Sequence, residues 1–138
     1  MPAKDLFHDA VRSALKKAGW EITHDPYSIE YEEVKVAIDL GAKTLVGAEK
    51  EGKKIAVEIK SFASGSFIYD FHTALGQYIN YRRLLTKTES DRQLYLAVPS
   101  DTFRDYFSQR FYQETAKEEN LYYLVFDPDS SNILSWHP

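Results

Sequence analysis

The chain contains no cysteine, which excludes disulfides and thiolate metal sites. It has no apolar run near the roughly 20 residues that a membrane-spanning helix needs, and no signal-peptide pattern at its start. A cytoplasmic protein without membrane contact is expected. Repeats, low-complexity tracts and linkers are missing, so residues 1–138 are expected to form a single domain, long enough for one good core. There is no Gly-rich phosphate loop and no dinucleotide fingerprint, and a metabolic nucleotide enzyme therefore lacks support. Ser61 and Ser64 have no histidine–acid partners in their sequence context, so nothing supports a serine hydrolase. Positive charge is not in excess either. The net charge of −4 argues against a protein that coats nucleic acid non-specifically, while leaving local contact open. The pairs Lys16-Lys17, Lys53-Lys54 and Arg82-Arg83 read most simply as solvated surface charge.

What is present is an ordinary globular composition, 43% apolar and 28% charged, with 10 Tyr and 8 Phe to supply large buried areas. Phe7, Ala10, Val11, Ala14, Leu15 and Ala18 recur at helical spacing, and Gly19 stops that helix. "WEITHD" and "VKVAIDL" read as strands, and "TLVGAEKEGKKIAVEIK" as a hairpin turning near Glu51-Gly52. After the loop "SFASGS", a long helix runs from about Phe67 to Leu85. "RQLYLAVP" is apolar almost throughout, as expected of a central strand covered on both faces. Residues 101–119 read as helical, with Phe103, Tyr106, Phe107, Phe111 and Tyr112 expected to be buried as core; part of that stripe is open to a protein interface, between copies of the chain (a homo-oligomer) or otherwise. "LYYLVFDP" and "NILSW" close the chain as strands. The order αβββαβαβ implies an α/β (α+β) fold with a mixed sheet between helices.

E-x-K occurs three times, at Glu33-Lys35, Glu51-Lys53 and Glu58-Lys60. The pattern is cheap, but only Glu58 and Lys60 are set in an apolar strand that leads into a loop. An ionised pair there is costly unless something compensates it, and a bound cation does. Asp39 in "VAIDLGAK" also interrupts an apolar strand. Mg²⁺ or Mn²⁺ is often held by one or two carboxylates with waters and phosphate, and Asp39 with Glu58 would form such a pair. Lys60 would then help polarise the attacking water and offset negative charge. Simple hairpin pairing sets Leu45 opposite Glu58, and Asp39 lies six residues further on. At ~3.3 Å per residue the two carboxylates meet only if the chain bends between them, which Gly41 permits.

The order helix, strands, D…ExK, helix, strand resembles the PD-(D/E)xK nuclease superfamily. That resemblance implies a restriction-endonuclease-like fold, a three-layer α/β/α arrangement around a central mixed sheet. "GQYINYRR" places Gln77 and Tyr81 in the Q-x-x-x-Y arrangement of the RecB-like branch, where these residues lie beside DNA and the catalytic site. His8 falls where related nucleases carry a helix-borne metal ligand, with Asp9 in reserve. Ile38 stands where the superfamily's variable proline would precede Asp39. The implied catalytic set is Asp39, Glu58, Lys60, Gln77 and Tyr81. The implied ligands for Mg or Mn are His8, Asp39, Glu58 and the Ile59 carbonyl, with Arg82 or Arg83 on phosphate. Over nearly its whole length the chain also resembles the XisH family, through "AKDLFHDAVRSALKKAGWEITHDP", "IDLGAK", "IAVEIKSF" and "ALGQYINYR". This likeness implies a role in excision of the fdxN DNA element, together with a XisI-like companion and a site-specific recombinase.

Two functions of different class are thereby implied. One is a metal-dependent DNA endonuclease. The other is a non-catalytic accessory module that uses the same scaffold to bind DNA, a recombinase or a XisI-like partner. Plainer readings stand beside each residue. Glu58 and Lys60 can be an exposed salt bridge on an edge strand, Asp39 a strand-end cap, His8 a surface residue, and Tyr81 a core aromatic.

Overall fold

The computed structural model of the protein describes residues 7–35 and 45–138. The first helix, α1 (His8–Lys17), buries Val11, Ala14 and Leu15 along one side. It leads through β1 (Glu21–His24) to a two-stranded hairpin, β2 (Glu30–Tyr31) and β3 (Val34–Lys35). The main hairpin comes next as β4 (Leu45–Lys50) and β5 (Lys53–Ile59), and then the long helix α2 (Phe67–Thr88). Strand β6 (Arg92–Pro99) precedes a short helical turn α3 (Ser100–Thr102), a π-helical turn over Phe103–Phe107, and α4 (Arg110–Glu118). Strands β7 (Tyr123–Asp127) and β8 (Asn132–His137) complete the order.

Six strands form one mixed sheet in the order β1-β4-β5-β6-β7-β8. The two central pairings, β5 with β6 and β6 with β7, are parallel; the outer ones are antiparallel. A parallel neighbour needs a crossover, and α2 supplies it between β5 and β6. The β4–β5 turn is the one read from the sequence. Glu51 and Gly52 both have positive φ, 51° and 80°, which a two-residue turn of matching twist requires. The register then sets Leu45 opposite Glu58, as expected.

Helices cover both faces. Val11 and Leu15 of α1 pack with Val46, Ala48, Val57, Ile59, Leu124 and Phe126. On the other face Phe71, Ala74, Tyr78, Tyr81 and Leu85 of α2 pack with Leu45, Ala56, Leu94 and Leu96. This is the α/β/α layering with a central mixed sheet that the sequence implied. Among the described residues, no helix is long and apolar enough to cross a membrane.

The stretch 101–119 departs from expectation. It is not one helix: the π-helical turn and an extended Gln109 (ψ 148°) break it. The break resets the helical phase, so the apolar positions no longer share one inward side. Phe107 is fully buried and Phe103 and Tyr112 pack partly against the core, but Tyr106 and Phe111 are 46% and 61% exposed. Their expected burial is corrected.

A polar clasp closes the end of the sheet where β5 and β6 begin. Arg92, 4% exposed, donates to the Ile55 carbonyl at 2.8 Å and makes a forked contact with Glu89, at 2.9 and 3.2 Å. Its guanidinium lies 4.8 Å from the Tyr27 ring centroid, and the Tyr27 hydroxyl donates to Glu89. Tyr27 in turn lies over Gly47, where an added Cβ would come within 2.8 Å of the ring, so β4 needs glycine there. The Arg92 hydrogen bonds, aided by Tyr27 and by the charges of Arg92 and Lys54, outweigh burial and hold the Glu89 carboxyl down at about 2 from an ordinary 4.5.

A carboxylate with a depressed folded-state pKa stabilises the fold above its unfolded value and loses that contribution as pH falls through the folded one. Wild-type stability is therefore expected to decline between about pH 4.5 and 2, and Glu89→Gln to lose that part of the acid slope. Urea midpoints measured across the range check this; an unchanged slope in the variant contradicts the clasp as the source.

Candidate functional site

Glu58 is a buried carboxylate on a central strand of the sheet. It lies one residue before β5 ends at Ile59, flanked by Leu45 on β4 and Leu96 on β6, and is 2% exposed. Side chains alternate along a strand. Val57 and Ile59 point toward α1, whereas Ala56 and Glu58 point toward α2. Lys60 comes directly after the strand and is half-buried.

The loop after Lys60 is fastened back onto α2. Ser66 caps the helix by accepting a hydrogen bond from the Tyr69 backbone N–H at 3.3 Å. Asp70, 6% exposed, accepts from the Ser64 backbone N–H at 3.1 Å. Phe62 stacks on Phe67 with ring centroids 5.7 Å apart. These ties fix how α2 crosses the end of β5.

Gln77 and Tyr81 share one side of α2, a single turn apart. Tyr81 is fully buried. Its hydroxyl pKa is pushed up, chiefly by burial and further by the negative charge of Glu58; the tyrosine read from the sequence thus lies within electrostatic reach of the carboxylate. The Tyr81 hydroxyl and Gln77 Oε1 are both buried with no hydrogen-bond partner among the described residues. Tyr78, close by on the same helix, behaves differently. Its hydroxyl donates to the Leu94 carbonyl at 2.9 Å and accepts from the Tyr122 N–H at 3.0 Å. Tyr78 is therefore a structural tyrosine, joining α2 to β6 and β7.

Asp39 lies outside the described residues. His8 is 2% exposed and places its Nε2 2.9 Å from Asp25 Oδ1; the same carboxylate takes Arg12 Nε at 3.1 Å. The imidazole read as a metal ligand is thus engaged by Asp25, and its helix lies on the Val57–Ile59 face of the sheet. Asp9 is exposed on the outer side of α1. Among the described residues, no group of three His, Cys, Asp or Glu side chains is placed to hold a metal ion. Arg82, read as a phosphate contact, donates to the carbonyls of Glu119 and Asn120 at 2.7 and 3.0 Å and lies 5.3 Å from the Tyr78 ring centroid. It binds the end of α4 to α2. Arg83 is exposed and remains available to an anion.

Asp25 and Asp70 escape sequence reasoning. The i, i+4 pair His8 and Arg12, two groups able to carry positive charge on one side of α1, is the signal that an acid would face them. For Asp70 the signal is its place in the first turn of α2, after a small-residue loop whose N–H groups need an acceptor.

A buried polar group left without a partner costs about 1–3 kcal/mol. Tyr81→Phe is thus expected to leave stability unchanged or raise it by roughly 1 kcal/mol, while Tyr78→Phe lowers it by about 1–3 kcal/mol by orphaning the Leu94 carbonyl and the Tyr122 N–H. Equilibrium urea unfolding of the two variants separates them; an equal loss in both contradicts the distinction.

Known proteins share this fold. The sequence model described as XisH protein matches residues 1–134. The crystal structure of an XisH family protein from Nostoc punctiforme PCC 73102 is similar, with a TM-score of 0.88 and 43% identity over 97% of this chain and 100% of that one. That of an fdxN element excision controlling factor protein from Anabaena variabilis is similar too, with a TM-score of 0.88 and 47% identity over 96% of this chain and 98% of that one. No curated protein matches the chain.

Proposed function

This chain belongs to the XisH family, and from that premise we propose that it serves excision of a DNA element through a nuclease-like, divalent-metal-dependent site of the PD-(D/E)xK kind at the end of β5. The supporting observation is the company Glu58 keeps. A carboxylate with 2% exposure lies within electrostatic reach of the Tyr81 hydroxyl and on the side of the sheet that carries Gln77, and among the described residues neither the Tyr81 hydroxyl nor Gln77 Oε1 has a hydrogen-bond partner. A buried hydroxyl and a buried amide oxygen without partners among the described residues, set near a buried carboxylate, are what a substrate-binding site retains.

The donor chemistry fits Mg or Mn. Glu58 and the Ile59 carbonyl are hard oxygen donors, and Asp39 is the proposed second carboxylate. A small hard cation asks for few protein ligands when water and phosphate complete its shell. The chemistry available from such an ion is activation of water and neutralisation of phosphate charge. The chain's own residues supply the rest. The Lys60 ammonium offsets negative charge on the phosphate, the Tyr81 hydroxyl and the Gln77 amide orient the strand, and Arg83 holds a neighbouring phosphate. His8, engaged by Asp25, is assigned to holding α1 against the start of the 25–31 segment.

A second reading, an accessory module that binds a recombinase or a XisI-like companion without cutting, is favoured by one observation. Ile68, Tyr69, Tyr106 and Phe111 are large apolar side chains left 42–65% exposed, and exposed apolar surface of this kind marks protein interaction sites.

Incubation with supercoiled plasmid and single-stranded DNA in Mn²⁺ tests the proposal. Nicking is expected from the wild type, with a loss of at least ~100-fold in Glu58→Ala and Lys60→Ala, the scale of removing an electrostatic or proton-transfer group. Equal nicking by wild type and both variants discards the catalytic assignment. If excision depends on Tyr106 and Phe111 but not on Glu58, the accessory reading holds instead.

A further inference from the structure

On the α1 face of the sheet, at the end remote from Glu58, the β4–β5 turn, Trp20 and Trp136 line an open hollow of about 420 Å³. Nothing in the excision reading uses it, and its properties are independent of that reading. We propose that this hollow binds a nucleobase carried on a phosphate.

The walls are aromatic. The Trp20 and Trp136 ring centroids are 5.8 Å apart, and Tyr95 meets Trp136 nearly edge-on at 5.1 Å. All three residues are only partly buried. One side of these rings packs against the apolar core that α1 covers, and the surface they keep helps to line the hollow. A volume of 420 Å³ falls within the range of about 300–1,000 Å³ that small-molecule sites occupy.

The rim is charged and polar. Gln93 turns its Nε2 to the Leu94 carbonyl at 3.0 Å, which leaves its Oε1 as an acceptor for a base edge. Asp91 is open to solvent, and its charge is offset by Lys54 at 3.6 Å. Lys53, beside Gly52 at the turn, is exposed and makes no ion pair among the described residues. Lys54 is shared with Glu89 at 3.7 Å, and of the charged residues that line the hollow, Lys53, Lys54 and Asp91, Lys53 is the cation left to meet a ligand. A flat ring stacks on an aromatic wall whatever its sequence identity, and the compact lysine ammonium suits a phosphate. Stacking surface inside with a cation at the outer edge matches a nucleotide better than a purely apolar ligand or a bare anion.

The chain has two tryptophans, and both line this hollow, so their emission reports its occupancy. Titration of the protein with dAMP, with a short deoxyadenosine oligonucleotide and with inorganic phosphate forms the test. Saturable quenching by dAMP and by the oligonucleotide is expected, and none by phosphate. Lys53→Glu, on an exposed turn, is expected to weaken binding roughly tenfold, the scale of a lost charge-assisted contact. Lys117→Glu, on a second hollow on the other side of Trp136, is expected to leave it unchanged. Tighter binding of the oligonucleotide than of dAMP identifies a strand as the natural source; equal affinity identifies a free nucleotide. Quenching that never saturates, or affinity that drops in Lys117→Glu and not in Lys53→Glu, overturns the proposal.

Discussion

A carboxylate held inside the sheet is the constraint around which the molecule is arranged. Glu58 sits between Leu45 and Leu96 on a central strand, where removing a charge from water is unfavourable by several kcal/mol unless something nearby compensates it. Moving Glu58 by one residue would turn it toward α1 and bring Val57 and Ile59 to the α2 side, because a one-step slip exchanges the two faces. The β4–β5 turn prevents that slip, since Glu51 and Gly52 close the hairpin in two residues and pin the register. The position of the charge is therefore a consequence of turn geometry some six or seven residues away.

A second polar arrangement lies at the opposite end of the same strands. Arg92 begins β6 and draws Glu89, Tyr27 and the Ile55 carbonyl into one cluster. The apolar faces between the two ends are covered by α1 and α2. Tyr78 and Tyr81, almost adjacent on α2, show the division of labour. The first commits its hydroxyl to β6 and to the residue leading into β7, as structure requires; the hydroxyl of the second has no such partner among the described residues. Arg82 and Arg83 divide in the same way, one fixed to the end of α4 and the other open to solvent.

Much of this was legible in the sequence because local rules and tertiary packing agree. The alternation in "KKIAVEIK" and the Glu51-Gly52 turn yield the observed register, and the apolar run "RQLYLAVP" is β6, central and covered as its composition implies. The Gln77 and Tyr81 spacing puts both on the side of α2 that meets Glu58's face of the sheet, because i and i+4 coincide on any helix. Three things were not legible. A π-helical turn and an extended residue rotate the 101–119 stretch, and neither leaves a periodic signature, so Tyr106 and Phe111 emerge on the surface. The partner of His8 is 17 residues away on a segment with little pattern of its own. Arg92 opens the apolar run "RQLYLAVP", and its burial depends on Glu89 and Tyr27 coming from two other segments.

Anomalous scattering from crystals of the protein soaked in Mn²⁺ tests the central claim, that the buried carboxylate is retained to hold a divalent ion. The expected result is a peak within coordination distance of the Glu58 carboxylate and the Ile59 carbonyl, absent from crystals of Glu58→Ala soaked in the same way. Ordered crystals at saturating Mn²⁺ that show no peak at Glu58, or a peak that persists in Glu58→Ala, would contradict it.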